Sequence, residues 1–215
     1  MATLLLVRHA LAAAPDDLRL PGPDRPLLPE GRRQAEHLAR RIAPLRPIAV
    51  WSSNACRAVE TAQTVASLAG CAVTLDAALR EFDFGAWSGR TYAEVVAADT
   101  KAAAWFDQPE SGRPPGGESL FEAADRVRAA LDRAVADTDG PVVVVGHAGS
   151  LRLAVADALG MRLADSWRLR LDCASVSRLD WLPSGPVVHA WNDTAHLATV
   201  GMPPEERDDA HRTTD

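Results

Sequence analysis

Apolar residues fall into short dense runs separated by stretches at helical spacing. Thr3–Val7, Ile48–Trp51, Ala72–Leu75 and Pro141–Val145 read as short strands, the first and last apolar enough to be covered on both faces. Glu30–Ala43 sets Ala35, Leu38, Ala39 and Ile42 on one helical stripe. A second helix, with Ser52-Ser53-Asn54 as its N-cap residues, aligns Ala55, Ala58, Val59, Ala62, Val65, Ala66 and Ala69. Glu118–Ala136 reads as a long helix, and Leu151–Leu159 as another with Leu151, Ala154, Val155, Ala158 and Leu159 aligned. Val176–Trp181 and Val187–Trp191, joined by Pro183-Ser184-Gly185-Pro186, predict a closing hairpin.

This alternation predicts an α/β domain over residues 1–202 with a mainly parallel sheet. Residues 82–117 break the rhythm, with Phe82-Asp83-Phe84-Gly85-Ala86-Trp87, short helical stretches around 91–107, and the loop Arg113-Pro114-Pro115-Gly116-Gly117. They read as an insertion that covers a site. Residues 203–215 are polar and are expected to form a disordered tail.

Composition narrows the function classes. Over 215 residues, 47% are hydrophobic and 24% charged, the balance of an ordinary globular chain. A net charge of −6 argues against a nucleic-acid binder, which would carry a basic stripe. Anionic substrates stay open, because a few arginines set the local field. Cys56, Cys71 and Cys173 are widely spaced and odd in number, so neither a disulfide framework nor a zinc site is expected, and buried thiols in a reducing cytoplasm are. The apolar N-terminal run lacks a basic flank and is cut short by Arg8-His9, unlike a signal peptide. No stretch reaches the length of a membrane span.

The chemistry is carried by the ends of those runs. One strand stops at Arg8-His9-Ala10, and the four-valine strand stops at Gly146-His147-Ala148-Gly149. If the two strands lie side by side, an arginine and two histidines share one crevice at the strand C-termini, where α/β proteins bind ligands. Arg57 falls in the first turn of a helix, where a cation opposes the macrodipole unless an anion docks there. Glu81 precedes the Phe/Gly/Trp-rich turn, where a solvated carboxylate paired with Arg80 is the plain alternative. Each residue alone is ambiguous. Together they supply what phosphomonoester cleavage needs: an imidazole nucleophile, cations for the equatorial oxygens, and an acid for the leaving alkoxide.

Leu6-Val7-Arg8-His9-Ala10, Ser52-Ser53-Asn54-Ala55-Cys56-Arg57-Ala58-Val59-Glu60-Thr61-Ala62, Leu79-Arg80-Glu81 through Gly89, Gly116-Gly117-Glu118-Ser119 and Gly146-His147-Ala148-Gly149 occur in an order that resembles the histidine phosphatase (phosphoglycerate-mutase-like) superfamily. The C-terminal Trp191-Asn192-Asp193-Thr194-Ala195-His196-Leu197 is similar to tails of that family. The resemblance implies a three-layer α/β/α sandwich with a mostly parallel six-stranded sheet and a helical lid. It implies His9 as phosphorylated nucleophile, Arg8, Arg57 and His147 as phosphoryl-binding groups, Glu81 as general acid and base, and no metal or other cofactor. Departures are Ala10 and Ala148 where the family carries glycine, Leu28 where a Thr or Ser caps the first helix, and no evident counterpart of an Asn shortly after the nucleophile.

The favoured reading is a cytoplasmic phosphomonoesterase for a small organic phosphate ester, with no nucleic-acid or membrane partner and an oligomeric state the sequence does not give. A cofactor-dependent mutase is the rival; residues 82–117 hold Arg90, Lys101 and Arg113 against Asp83, Glu94, Asp99, Asp107 and Glu110, which suits a doubly anionic ligand poorly. A non-catalytic phospho-ligand module is the third alternative. The lid brings to mind α-ribazole-phosphate phosphatases, in which Trp87, Trp105 and Phe106 would stack on a flat base; packing of the lid's own core is favoured over stacking. His189, Asp193 and His196 fit no regular metal-ligand spacing.

Overall fold

The computed structural model describes residues 2–12, 19–22, 24–136, 138–182 and 184–198, so the expected tail 203–215 lies outside the described residues. Six strands form one sheet: β1 (Ala2–Arg8), β2 (Ala49–Ser52), β3 (Val73–Leu75), β4 (Val142–Gly146), β5 (Val176–Trp181) and β6 (Val187–Asp193). Their order is β3-β2-β4-β1-β5-β6. β1 to β4 run parallel, and β5 runs antiparallel to both β1 and β6, so the sheet is mixed but mostly parallel. The helices are α1 (Pro29–Ile42), α2 (Cys56–Ala69), α3 (Tyr92–Ala98), α4 (Ala102–Asp107), α5 (Leu120–Val135) and α6 (Ala148–Ala158).

Strand alternation sorts the core into two layers. Leu5 and Val7 of β1, with Val143 and Val145 of β4, face α1 and α2. Leu4, Leu6, Val142 and Val144 face α5 and α6. All four valines of β4 are fully buried, which is why that strand shows no polar alternation. Burying such a side chain contributes roughly 1.5–3 kcal/mol, so β1 and β4 are fixed as neighbours largely by their own side chains.

Residues 82–117 fold as short helical turns around a third cluster. Phe82, Trp87, Val95, Ala102 and Trp105 pack there with Leu120, Ala123 and Ala124 of α5 and Leu153 and Ala156 of α6. Trp87 and Trp105 meet edge-on at 5.3 Å, and Phe106 stacks on Trp87 at 5.6 Å. With Trp87 3% and Trp105 9% exposed, these rings are core rather than an open platform for a base.

Two local expectations are corrected. The N-cap of α2 is Ala55, because Ser52 and Ser53 are fully buried and spend their hydroxyls elsewhere. The first N–H of that helix, on Cys56, donates instead to Asp24 Oδ2 at 2.6 Å. The three cysteines are half-buried rather than buried, and they form no disulfide among the described residues. No helix among the described residues is long and apolar enough to cross a membrane.

Candidate active site

Parallel pairing of β1 with β4 aligns Val7 with Val145 and Arg8 with Gly146. One further bond, from His9 N–H to Gly146 C=O at 2.9 Å, carries the register past the strand ends. His9 and His147 therefore leave adjacent strands at one level, with ring centroids 5.1 Å apart and edge-on. On the other flank of β4, Ser53 N–H donates to Val145 C=O at 3.0 Å, and the chain then turns into α2. That turn delivers Arg57 between the two rings.

Arg57 Nε donates to His9 Nε2 at 3.2 Å, and its Nη2 lies 3.0 Å from His147 Nδ1. A guanidinium has donors and no acceptor, so both imidazole nitrogens facing it carry lone pairs. His9 Nδ1 lies 2.8 Å from the Ala10 carbonyl, which only accepts, so this nitrogen holds the proton. The tautomer thus leaves the Nε2 lone pair on the side facing Arg57. For His147 the remaining nitrogen, Nε2, lies 2.9 Å from Ser53 Oγ. Burial foremost, then each histidine's cationic neighbours, hold both imidazoles well below the ordinary histidine value. Arg8 adds to that field in both cases and is fastened through Nη1 to the Leu171 carbonyl at 2.9 Å.

Glu81 docks on the first turn of α6. Its carboxylate accepts from Gly149 N–H at 3.2 Å, Ser150 N–H at 2.8 Å and Phe82 N–H at 2.8 Å. The helix that His147 caps therefore holds the Glu81 carboxylate as well. Arg80 reaches Glu118 instead of Glu81, which removes the expected neighbour pair.

All five residues singled out from the sequence, Arg8, His9, Arg57, Glu81 and His147, are placed at this one end of the sheet. Others were not read as part of the site. Asp24 Oδ1 accepts from Arg57 Nη1 at 3.1 Å and fixes the guanidinium from outside; nothing in its local sequence signals this. Arg126 donates to the carbonyls of Ala78 and Arg80 at 2.6 and 3.0 Å and to the Glu118 carboxylate at 2.6 Å. Glu118 in turn accepts from Asp83 N–H at 2.9 Å, so the pair grips the backbone on both sides of Glu81. A signal existed: Arg126 stands three residues from Ala123 and four from Ala130, both fully buried. The C-terminal motif buttresses the nucleophile from behind. Ala174 N–H caps the Arg8 and His9 carbonyls, and Asn192 ties Asp172 through both its amide atoms. His189, Asp193 and His196 hold separate partners in Asp180, Arg41 and Ala174.

Two neutral imidazoles, two arginines and a carboxylate gathered at the strand ends make a site of the phosphoryl-transfer type. The family model for the histidine phosphatase superfamily (branch 1) matches residues 4–194, and the chain belongs to that superfamily. Among curated proteins it is 34% identical over 208 residues to "Probable phosphoglycerate mutase GpmB" of Salmonella paratyphi C, covering 92% of this chain and 95% of that one. Among solved structures it superposes with a TM-score of 0.79 on a mycobacterial glucosyl-3-phosphoglycerate phosphatase, at 28% identity over 89% of this chain and 99% of that one. A "putative alpha-ribazole-5'-P phosphatase" from Escherichia coli superposes with a TM-score of 0.80, at 27% identity over 89% of this chain and 96% of that one.

Proposed function

We propose that the chain is a phosphomonoesterase that hydrolyses a small organic phosphate ester through a phosphohistidine on His9. Its Nε2 lone pair attacks phosphorus in line with the leaving oxygen, while Arg8, Arg57 and His147 take the charge on the equatorial oxygens. Glu81 gives its proton to the departing alkoxide. The carboxylate then takes a proton from water, which attacks the phosphohistidine and releases phosphate and free His9. The observation that carries this reading is the His9 tautomer, with Nδ1–H donating to Ala10 C=O and the Nε2 lone pair accepting from Arg57.

A mutase, in which phosphohistidine returns its phosphoryl group to a bound sugar acid, is favoured by the names of the curated relatives. Against it, two of the lid's three cations are spent on the protein itself: Arg90 donates to the Glu94 carbonyl, and Arg113 pairs with Glu122. With Trp87 and Trp105 packed inward, the structure supplies no stacking argument for a base-containing substrate such as α-ribazole phosphate.

The test is phosphate release from a panel of monoesters in excess EDTA, with wild type and His9→Ala side by side. EDTA-resistant turnover that disappears in the variant is expected. Stoichiometric phosphoryl transfer from bisphosphoglycerate to phosphoglycerate, with little free phosphate, would establish the mutase instead. Glu81→Gln is expected to slow alkyl phosphates roughly a hundredfold, with a smaller loss on p-nitrophenyl phosphate, whose leaving group needs no proton.

A further inference from the structure

Ser53 sits behind His147, fully buried, at a point where a hydroxyl has an unusual freedom. Its Oγ accepts from Ala55 N–H at 3.2 Å and lies 2.9 Å from His147 Nε2. In the unliganded site Arg57 donates to His147 Nδ1, so the ring proton is on Nε2 and points at Ser53 Oγ. Nδ1 is the nitrogen that shares Arg57 with the nucleophile, so it is also the nitrogen that a phosphoryl oxygen will meet. A bare Nδ1 would set its lone pair against that oxygen. To bind, Nδ1 must carry a proton.

Two routes exist. His147 can gain a second proton and become a cation, or it can keep one proton and change which nitrogen holds it. The first route places another cation beside Arg8, Arg57 and Arg126, with only the entering ligand's own charge to offset it. The second needs a partner at Nε2 able to accept in one state and donate in the other. A carboxylate cannot donate and a backbone amide cannot accept; a hydroxyl does both.

We infer that Ser53 is a positioning residue that lets His147 exchange one neutral tautomer for the other when a phosphoryl group enters. In the free site Nε2–H donates to Ser53 Oγ. In the occupied site Nδ1–H donates to a phosphoryl oxygen, and Ser53 O–H rotates to donate to Nε2 while Oγ still accepts from Ala55 N–H. The proton count of His147 is unchanged: Nε2 releases one proton to water and Nδ1 takes one from water as the ligand enters. The inference rests on the phosphomonoesterase reading, since it assigns His147 to the phosphoryl oxygens.

The test is long-range proton–nitrogen correlation NMR on protein labelled with nitrogen-15 in histidine, using inorganic phosphate as the probe. His147 signals are assigned by their loss in His147→Asn. Expected is a protonated Nε2 in the free protein and a protonated Nδ1, with bare Nε2, at phosphate saturation. Ser53→Ala is expected to keep Nε2 protonated in both states and to weaken phosphate binding about tenfold, the scale of one hydrogen bond made in the occupied site. Ser53→Thr retains the hydroxyl and is expected to retain the exchange. Phosphate that binds with His147 unchanged, or with both nitrogens protonated in wild type, overturns the role of Ser53 and leaves the phosphoryl site standing. Exchange that persists in Ser53→Ala overturns it as well. Phosphate that perturbs neither His9 nor His147 removes the phosphoryl site and this inference together.

Discussion

Gly149 shows how closely Glu81 is fitted to the first turn of α6. A Cβ at this position would lie 2.7 Å from Glu81 Oε1. The obstructing atom is the tip of a flexible side chain, so the fold can yield at little cost. On the proposed mechanism the carboxylate cannot, because it must reach the leaving oxygen from this place. Ala also suits a helix better than Gly, by up to about 1 kcal/mol. Gly149→Ala is therefore expected to leave thermal stability equal or slightly raised. Turnover of alkyl phosphates should fall by about a hundredfold, the scale of a small misplacement of a catalytic group. Unchanged turnover in a variant that melts normally would show that Glu81 is not held for catalysis at this point. At the two positions where alanine stands for the family's glycine, Ala10 is fully buried with its N–H on Thr61 Oγ1, and Ala148 begins α6.

At the scale of elements, α5 does more than cover the sheet. Arg126 and Glu118 are 13% and 9% exposed at their side chains and span the segment that presents Glu81. Removing one member of such a pair strands a buried charge. Arg126→Met is expected to destabilise the protein by about 3 kcal/mol in urea titrations. The double variant with Glu118→Leu should cost at least about 1 kcal/mol less than the sum of the singles; strict additivity would mean the pair is not coupled. This clamp was hard to read from the sequence because one arginine on an apolar stripe looks like a solvated edge residue. What was legible followed from strong local patterns. Arg8, His9 and His147 end continuous apolar strands, and Arg57 stands where a helix dipole disfavours it. Ser53 was read as a helix cap because serine before a helix usually is one, and its real partner lies 94 residues away. Asp24 takes the capping role across 32 residues, which no local rule anticipates.

Over the whole molecule, the buried imidazoles couple stability to pH. His9 and His147 stay neutral in the folded protein, whereas the unfolded chain binds protons there as pH falls below about 6.5. The unfolded state then holds more protons, so acidification favours it. Between about pH 7 and pH 5.5 each of these histidines is expected to remove roughly 1 kcal/mol of stability. Carboxylates such as Asp193, held down by the Ala195 N–H and by Arg41, give way only in the more acidic range near their own ordinary values. Urea titrations at the two pH values check this, and His9→Asn should flatten the dependence. A flat wild-type profile would mean that both rings titrate normally in the folded state.

The backrest behind the nucleophile has a consequence for how the protein comes into being. Arg8 is tied to Leu171 across 163 residues, and the loop that caps the His9 carbonyl is fastened in turn by Asn192. Synthesis makes His9 well before the downstream segments around Leu171 and Asn192 that support it. Contacts of such span form late and slowly. A nascent chain that has already built β1, α1, β2 and α2 thus carries His9 and Arg57 without β4, His147 or the backrest. The His9 imidazole is thus made long before it is oriented, and on the proposed mechanism it is armed only once those later segments have folded against it.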